Sequence, residues 1–156
     1  MGKERLDIAS ERAKYTFLLD RYYYVLDPGH VWFKPKNSTF EVGFDDFGQA
    51  QAGNILHIRT RPMGKELDQH TAFGTIESEK WIGPLRLPLT GILLKANSDV
   101  LDNPALVNKT PYEAWIIEIE PTNLSAEIEN TERIIPIGDA ERLRDYILAE
   151  VEKYEE

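Results

Sequence analysis

Gly74-Thr75-Ile76-Glu77-Ser78-Glu79-Lys80-Trp81 is the stretch from which the chain is best read. Thr71 to Ile76 is rich in residues that favour a pleated, half-buried surface, so it predicts a strand. Glu77-Ser78-Glu79-Lys80 interrupts it with four polar residues. Beyond them Leu85, Leu87 and Leu89 alternate with Arg86 and Pro88, the period of a second extended segment. Two extended segments with a polar tip between them make a hairpin that presents Lys80 to solvent. Taken alone, that hairpin does not distinguish Lys80 from an ordinary surface lysine.

The surrounding residues do. Glu77-Ser78-x-Lys80 resembles the signature around the lipoylated lysine of glycine-cleavage H proteins. Pro88 and Gly91, eight and eleven residues after Lys80, fall where that family has its Ser-Pro-x-Ser-Gly segment. Asn97, Pro104, Leu106-Val107-Asn108, Pro111-Tyr112-Glu113 and Trp115-Ile116-Ile117 continue the resemblance in order. Upstream, His30-Val31-Trp32 is similar to the family's His-Glu-Trp, Gly43-Phe44-Asp45-Asp46 with Gln49 to its Gly-Ile-Thr-Asp segment, and Gly53-Asn54-Ile55 to its Gly-Asp-Ile. A run of matches in register from about residue 22 to 121 is far more specific than any one motif.

The resemblance implies a mainly β fold, the barrel-sandwich hybrid of lipoyl and biotinyl domains. It implies lipoic acid in amide linkage to Lys80, attached by a lipoate-protein ligase or lipoyl transferase. It implies a non-catalytic carrier, not an enzyme in itself. A biotin carrier shares the fold, but biotinyl lysines typically have Met beside them, which Glu79 and Trp81 do not supply. An unmodified binding module is the remote alternative.

Around Lys80, Glu77 and Glu79 either help modifying enzymes recognise the turn or are solvated carboxylates, and Ser78 completes the motif. Trp81 departs from the family, where a small residue usually follows the lysine; it either covers the arm or a partner contact, or folds back on the hairpin. His30, Val31 and Trp32 are candidates for the cleft that holds the arm. The family's glutamate there suits a cationic aminomethyl group, and Val31 does not. His30 is read either as a base or as a structural histidine beside a core Trp32.

Two pathways follow. In one, the carrier serves glycine decarboxylase, aminomethyltransferase and dihydrolipoamide dehydrogenase. In the other, it is a divergent H-like lipoate-binding protein serving a heterodisulfide-reductase-like complex in sulfur oxidation. Val31, Trp81 and the extra terminal segments lean the reading toward the second.

Composition bounds the rest. The chain has 156 residues, 42% hydrophobic and 29% charged, which predicts one domain with a real core. A net charge of −9 argues against nucleic acid and against an anionic membrane surface. There is no Cys, so disulfides, thiolate metal sites and Cys nucleophiles are excluded. No apolar run is long enough for a membrane span and the amino terminus lacks a signal-peptide core, which predicts a cytoplasmic protein. His57 and His70 are isolated, which predicts no metal site.

Helices are expected at both ends. Leu6, Ala9, Ala13 and Phe17 fit one face of a helix over residues 3–20. Asp139 is placed to cap a closing helix with the stripe Leu143, Tyr146, Ile147, Val151 and Tyr154, its end fraying at Glu155-Glu156. Between them lie strands over 22–26, 31–33, 39–42, 55–59, 91–96 and 112–120. Asp27-Pro28-Gly29 reads as a turn. A short helix is expected after Asp45, a loop over 63–68, another short helix from Asn103-Pro104, and an extended strap at Ile134 to Ile137 within an irregular 122–138.

Overall fold

The computed structural model describes residues 4–26 and 29–155. The first two elements are strands, β1 (Arg5–Ala9) and β2 (Lys14–Leu18), paired antiparallel. The helix expected over 3–20 is therefore a hairpin, with residues 1–3 outside the described part. Leu6 and Ile8, then Tyr15, Phe17 and Leu19, are buried while their neighbours are not, which is a period of two rather than 3.6. Ser10 makes the turn: its Oγ accepts from the backbone N–H of Arg12 and Ala13, and its own N–H donates to the Ala13 carbonyl at 2.8 Å. Ala9, expected on the apolar face, is exposed.

The body follows in order: β3 (Tyr23–Val25), β4 (Val31–Lys36), β5 (Thr39–Phe44), α1 (Asp46–Ala52), β6 (Ile55–Thr60), β7 (Glu66–Leu67), β8 (Ala72–Ser78), β9 (Ile82–Arg86), β10 (Gly91–Ala96), α2 (Ser98–Asp102), α3 (Ala105–Lys109), β11 (Ile117–Pro121), α4 (Leu124–Ile128), β12 (Ile134–Ile135) and α5 (Ala140–Tyr154). A seven-stranded sheet runs β12-β3-β4-β5-β11-β10-β7, and a three-stranded sheet runs β6-β8-β9. Val31, Phe33, Val42 and Phe44 of the large sheet meet Ile58, Phe73, Ile76 and Leu85 of the small one in a shared core. This is the mainly β barrel-sandwich hybrid.

A second core covers the other face of the large sheet. Tyr24, Trp32 and Ile135 turn away from the first core and pack with Leu6, Ile8, Phe17 and Phe47, and with Leu143 and Ile147 of α5. Burial on both faces is why Tyr22 to Leu26 and Val31 to Phe33 read as unbroken apolar runs instead of alternating ones. Polar ends find partners: Tyr24 Oη donates to the Leu18 carbonyl at 2.7 Å and Trp32 Nε1 to the Pro111 carbonyl at 3.0 Å.

Other expectations shift locally. The cap after β10 is Asn97, whose Oδ1 accepts from the Asp99 N–H, while Asn103 ends α2 and Pro104 precedes α3. The strand expected from Tyr112 starts only at Ile117, because 112–116 is held by turns and by an Ile116 N–H bond to the Val42 carbonyl. The expected loop over 63–68 contains β7, and 122–138 contains α4 and β12. Asp139 caps α5 as expected, its Oδ1 accepting from the Arg142 N–H. Glu155 is tied down instead of frayed: its Oε2 accepts from Ser10 Oγ at 2.9 Å and from Tyr15 Oη. Residues 27, 28 and 156 lie outside the described residues, and with them part of the expected turn at Asp27-Pro28-Gly29.

Candidate functional site

β8 and β9 form the expected hairpin, and Ser78 is its staple. The Ser78 N–H donates to the Trp81 carbonyl at 2.8 Å. Its Oγ accepts from the N–H groups of Lys80 and Trp81, each at 3.1 Å, and donates back to the Trp81 carbonyl. A hydroxyl that satisfies two turn amides fixes the backbone on either side of Lys80 while its own side chain is buried. Lys80 and Glu79 are exposed at the tip, and Glu77 is half-buried on β8 opposite His57 and Ile82.

The tip is also tied down from below. The Glu79 N–H donates to the Asn54 carbonyl at 3.0 Å, and Glu79 Oε2 accepts from Asn54 Nδ2 at 3.2 Å. Gly53 passes under the tip at φ +77°, where a Cβ would stand 2.9 Å from Glu79 Oε1 and 3.3 Å from Lys80 Cε. Asn108 locks that loop, its Nδ2 donating to the Gly53 carbonyl and its Oδ1 accepting from the Ile55 N–H. So Glu79 is a positioning group for the turn.

Lys80 and Trp81 stand at the rim of a cleft of 520 Å³. Phe44, Phe47 and Pro84 give it apolar walls, and Arg12, His30 and Arg86 bring cationic groups to it. Trp81 is 46% exposed and lays its ring beside Gly83, where a Cβ would be only 3.2 Å away. It thus folds along the hairpin and lines the cleft at once.

Of the three residues expected to form the cleft, only His30 does. Val31 is buried in the core between the sheets, and Trp32 is fully buried in the second core between Tyr22 and Tyr112. The correction has a backbone cause. His30 sits at φ +62°, just before β4, so the chain turns over between the cleft and the strand. Val31 then points inward and its neighbour Trp32 outward.

His30 is held between two carboxylates. Its Nε2 is 2.8 Å from Glu150 Oε1 of α5, and its Nδ1 is 3.7 Å from Asp45 Oδ2, an ion-pair distance too long for a hydrogen bond. Burial works against the charged ring, but Asp45 and Glu150 outweigh it and push its pKa up to about 9. The bond from His30 holds the Glu150 carboxyl below its usual value. The ring lies 4.9 Å from Phe47 and 5.7 Å from Tyr146. This is an ion pair that joins α5 to the cleft, not a free base. Glu150 was invisible to sequence reasoning because nothing local marks a helix carboxylate 120 residues away as the partner of His30.

A family model for the glycine cleavage H-protein matches residues 22–135. The chain belongs to this family. It is 34% identical to a probable glycine cleavage system H protein 3 of Sulfurisphaera tokodaii, over 83% of this chain and 89% of that one. It is 35% identical to glycine cleavage system H protein 2 of Aquifex aeolicus, over 82% and 78%. A solved H protein from Mycobacterium marinum shares the fold, with a TM-score of 0.61 at 23% identity over 65% of this chain and 84% of that one. Nothing in these matches supports the lean toward sulfur oxidation; they favour the glycine-cleavage reading. No described helix of this H-family chain is long and apolar enough to cross a membrane.

Proposed function

We propose that the protein is a glycine-cleavage H-type carrier with lipoic acid on Lys80. The observation that carries the reading is the Ser78-stapled hairpin, which holds an exposed lysine at the rim of a partly apolar cleft. The residues fit the group. The Lys80 side-chain amine is exposed for amide formation, its long stem gives reach, and Pro84 and Trp81 offer exposed apolar surface to an aliphatic arm, over the buried Phe44 and Phe47. When attached, lipoate supplies a dithiolane that takes up and releases a group or an electron pair. The chain's part is to anchor the arm, offer it a dock and present it to other enzymes.

Those partners are a lipoate-protein ligase or lipoyl transferase, then glycine decarboxylase, aminomethyltransferase and dihydrolipoamide dehydrogenase. One observation favours the second reading, a divergent carrier serving a heterodisulfide-reductase-like complex. The cleft lining includes Arg12, Arg86 and a cationic His30 whose neighbouring carboxylates are engaged with it. Such a lining suits a neutral or anionic arm end better than a cationic aminomethyl group.

Two measurements test these readings. Intact mass after incubation with lipoate and ligase is expected to show one adduct, lost in Lys80→Arg; an adduct that persists in Lys80→Arg overturns the site. Glycine–bicarbonate exchange with glycine decarboxylase is expected to run with the lipoylated chain. A lipoylated but inert chain transfers the case to the second reading.

A further inference from the structure

The segments outside residues 22–135 build one side of the cleft. Arg12, from the β1–β2 turn, and Tyr154, from the last turn of α5, both line it. The two termini are clasped there. Glu155 accepts from Ser10 Oγ and Tyr15 Oη, Gln51 Nε2 of α1 donates to Tyr15 Oη at 3.1 Å, and Glu150 pairs with His30. Leu143 and Ile147, fully buried, hold the rest of α5 on the second core. The Tyr154 ring meets Phe47 at 6.3 Å between centroids, so it continues the apolar wall outward.

We propose that Tyr154, with Arg12 beside it, is an outer wall that shelters the arm carried by Lys80, so that the free carrier keeps its arm docked. The proposal rests on the lipoyl-carrier reading. An aliphatic arm in water gains by covering apolar surface, and the gain grows with the surface offered. Phe47 is fully buried beneath the cleft, so the accessible apolar surface comes from Trp81 and Pro84 on the hairpin and from Tyr154 across from them. Tyr154 is itself 49% exposed, so its ring is available to an arm and contributes little to the buried core. Glu150 is a positioning residue here, since it fixes the helix turn that precedes Tyr154.

The chain has no Cys, so the two thiols of a reduced arm are the only thiols in the lipoylated protein. That gives a readout independent of any partner enzyme. Lipoylated wild type, Tyr154→Ala and Tyr154→Phe are reduced with a phosphine and then alkylated with iodoacetamide, and the masses are followed in time. Rates are taken up to high pH, where the plateau separates shelter from altered thiol ionisation. Wild type is expected to react about tenfold more slowly than free dihydrolipoamide, the effect of docking nine-tenths of the arms, or about 1.4 kcal/mol. Tyr154→Ala is expected to approach the free rate with an unchanged melting temperature, and Tyr154→Phe to stay slow. Wild type as fast as free dihydrolipoamide, or Tyr154→Ala as slow as wild type, overturns the proposal. A chain that takes no adduct at Lys80 overturns the carrier reading itself, which keeps the two failures apart.

Discussion

Ser78 shows how one side chain turns a strand end into a presentation site. Its hydroxyl serves two amides that no other group of the turn reaches, so Ser78→Ala leaves both without that partner. The expected outcome is a loss of about 1–2 kcal/mol in denaturant unfolding, with slower modification of Lys80 by ligase because the tip loses its fixed shape. Equal stability and equal modification rates would mean that water replaces the hydroxyl without consequence. The motif itself was legible, since Glu77-Ser78-x-Lys80 and the downstream prolines and glycines are contiguous signals. Val31 was not. The resemblance to the family's His-Glu-Trp put it in the cleft, whereas behind the positive φ of His30 it turns into the core. Val31→Glu is therefore expected to bury an unpaired carboxylate among Phe44 and its neighbours and cost about 3 kcal/mol or more, not to improve the cleft. A variant of wild-type stability with faster glycine exchange would contradict that placement.

At the scale of elements, the contest at the amino terminus was between two periods in one sequence. Leu6, Ala9, Ala13 and Phe17 satisfy a helix, while Leu6, Ile8, Tyr15, Phe17 and Leu19 satisfy a hairpin. The hairpin buries larger side chains, and Ser10 supplies the turn; both were present in the sequence, but only a partner surface decides between them. That surface is shared by α1, the outer face of the large sheet and α5, of which α5 was legible from its cap and stripe. The joint between α5 and the cleft has a pH signature. His30 faces Asp45 from the start of α1, and Glu150 and Tyr146 from α5, with Lys153 acting on Glu150. The folded-state pKa of His30, about 9, lies above its unfolded value of 6.5. Its contribution is thus fully present below pH 6.5 and lost as pH rises through 9, and it amounts to at most about 3 kcal/mol. Urea unfolding of wild type is expected to weaken between pH 7 and 9.5 relative to His30→Gln. Parallel curves over that range would show that the ring is neutral in the fold.

At the scale of the molecule, one sheet separates two cores that have different owners. The core between the sheets is drawn almost wholly from residues 22–135, the span of the family match, and its strands could be read from the resemblance and from apolar runs. The second core joins that span to the two termini, and no local signal announced it because its contacts link residues more than a hundred positions apart. The division predicts how the chain responds to losing α5. Ending it at Gly138 removes Leu143 and Ile147, each worth about 1.5–3 kcal/mol when fully buried, and leaves His30 without Glu150. It also opens the second core on the side where α5 packs, beside Leu6 and Ile8 of β1. The expected loss is roughly 4–6 kcal/mol, a fall of roughly 10–20 °C in melting temperature for a chain of this size. The core between the sheets remains whole, so the truncated chain is expected to keep its strand content by circular dichroism. It is also expected to unfold cooperatively, but earlier, with the second core bound by a hydrophobic dye before the transition. Since Lys80, Ser78 and the Gly53–Asn54 loop lie outside α5, the truncated chain is expected to accept lipoate at low temperature at close to the full-length rate. An unchanged melting temperature would mean that α5 does not close the second core, and that the helix is a tail left over for another protein.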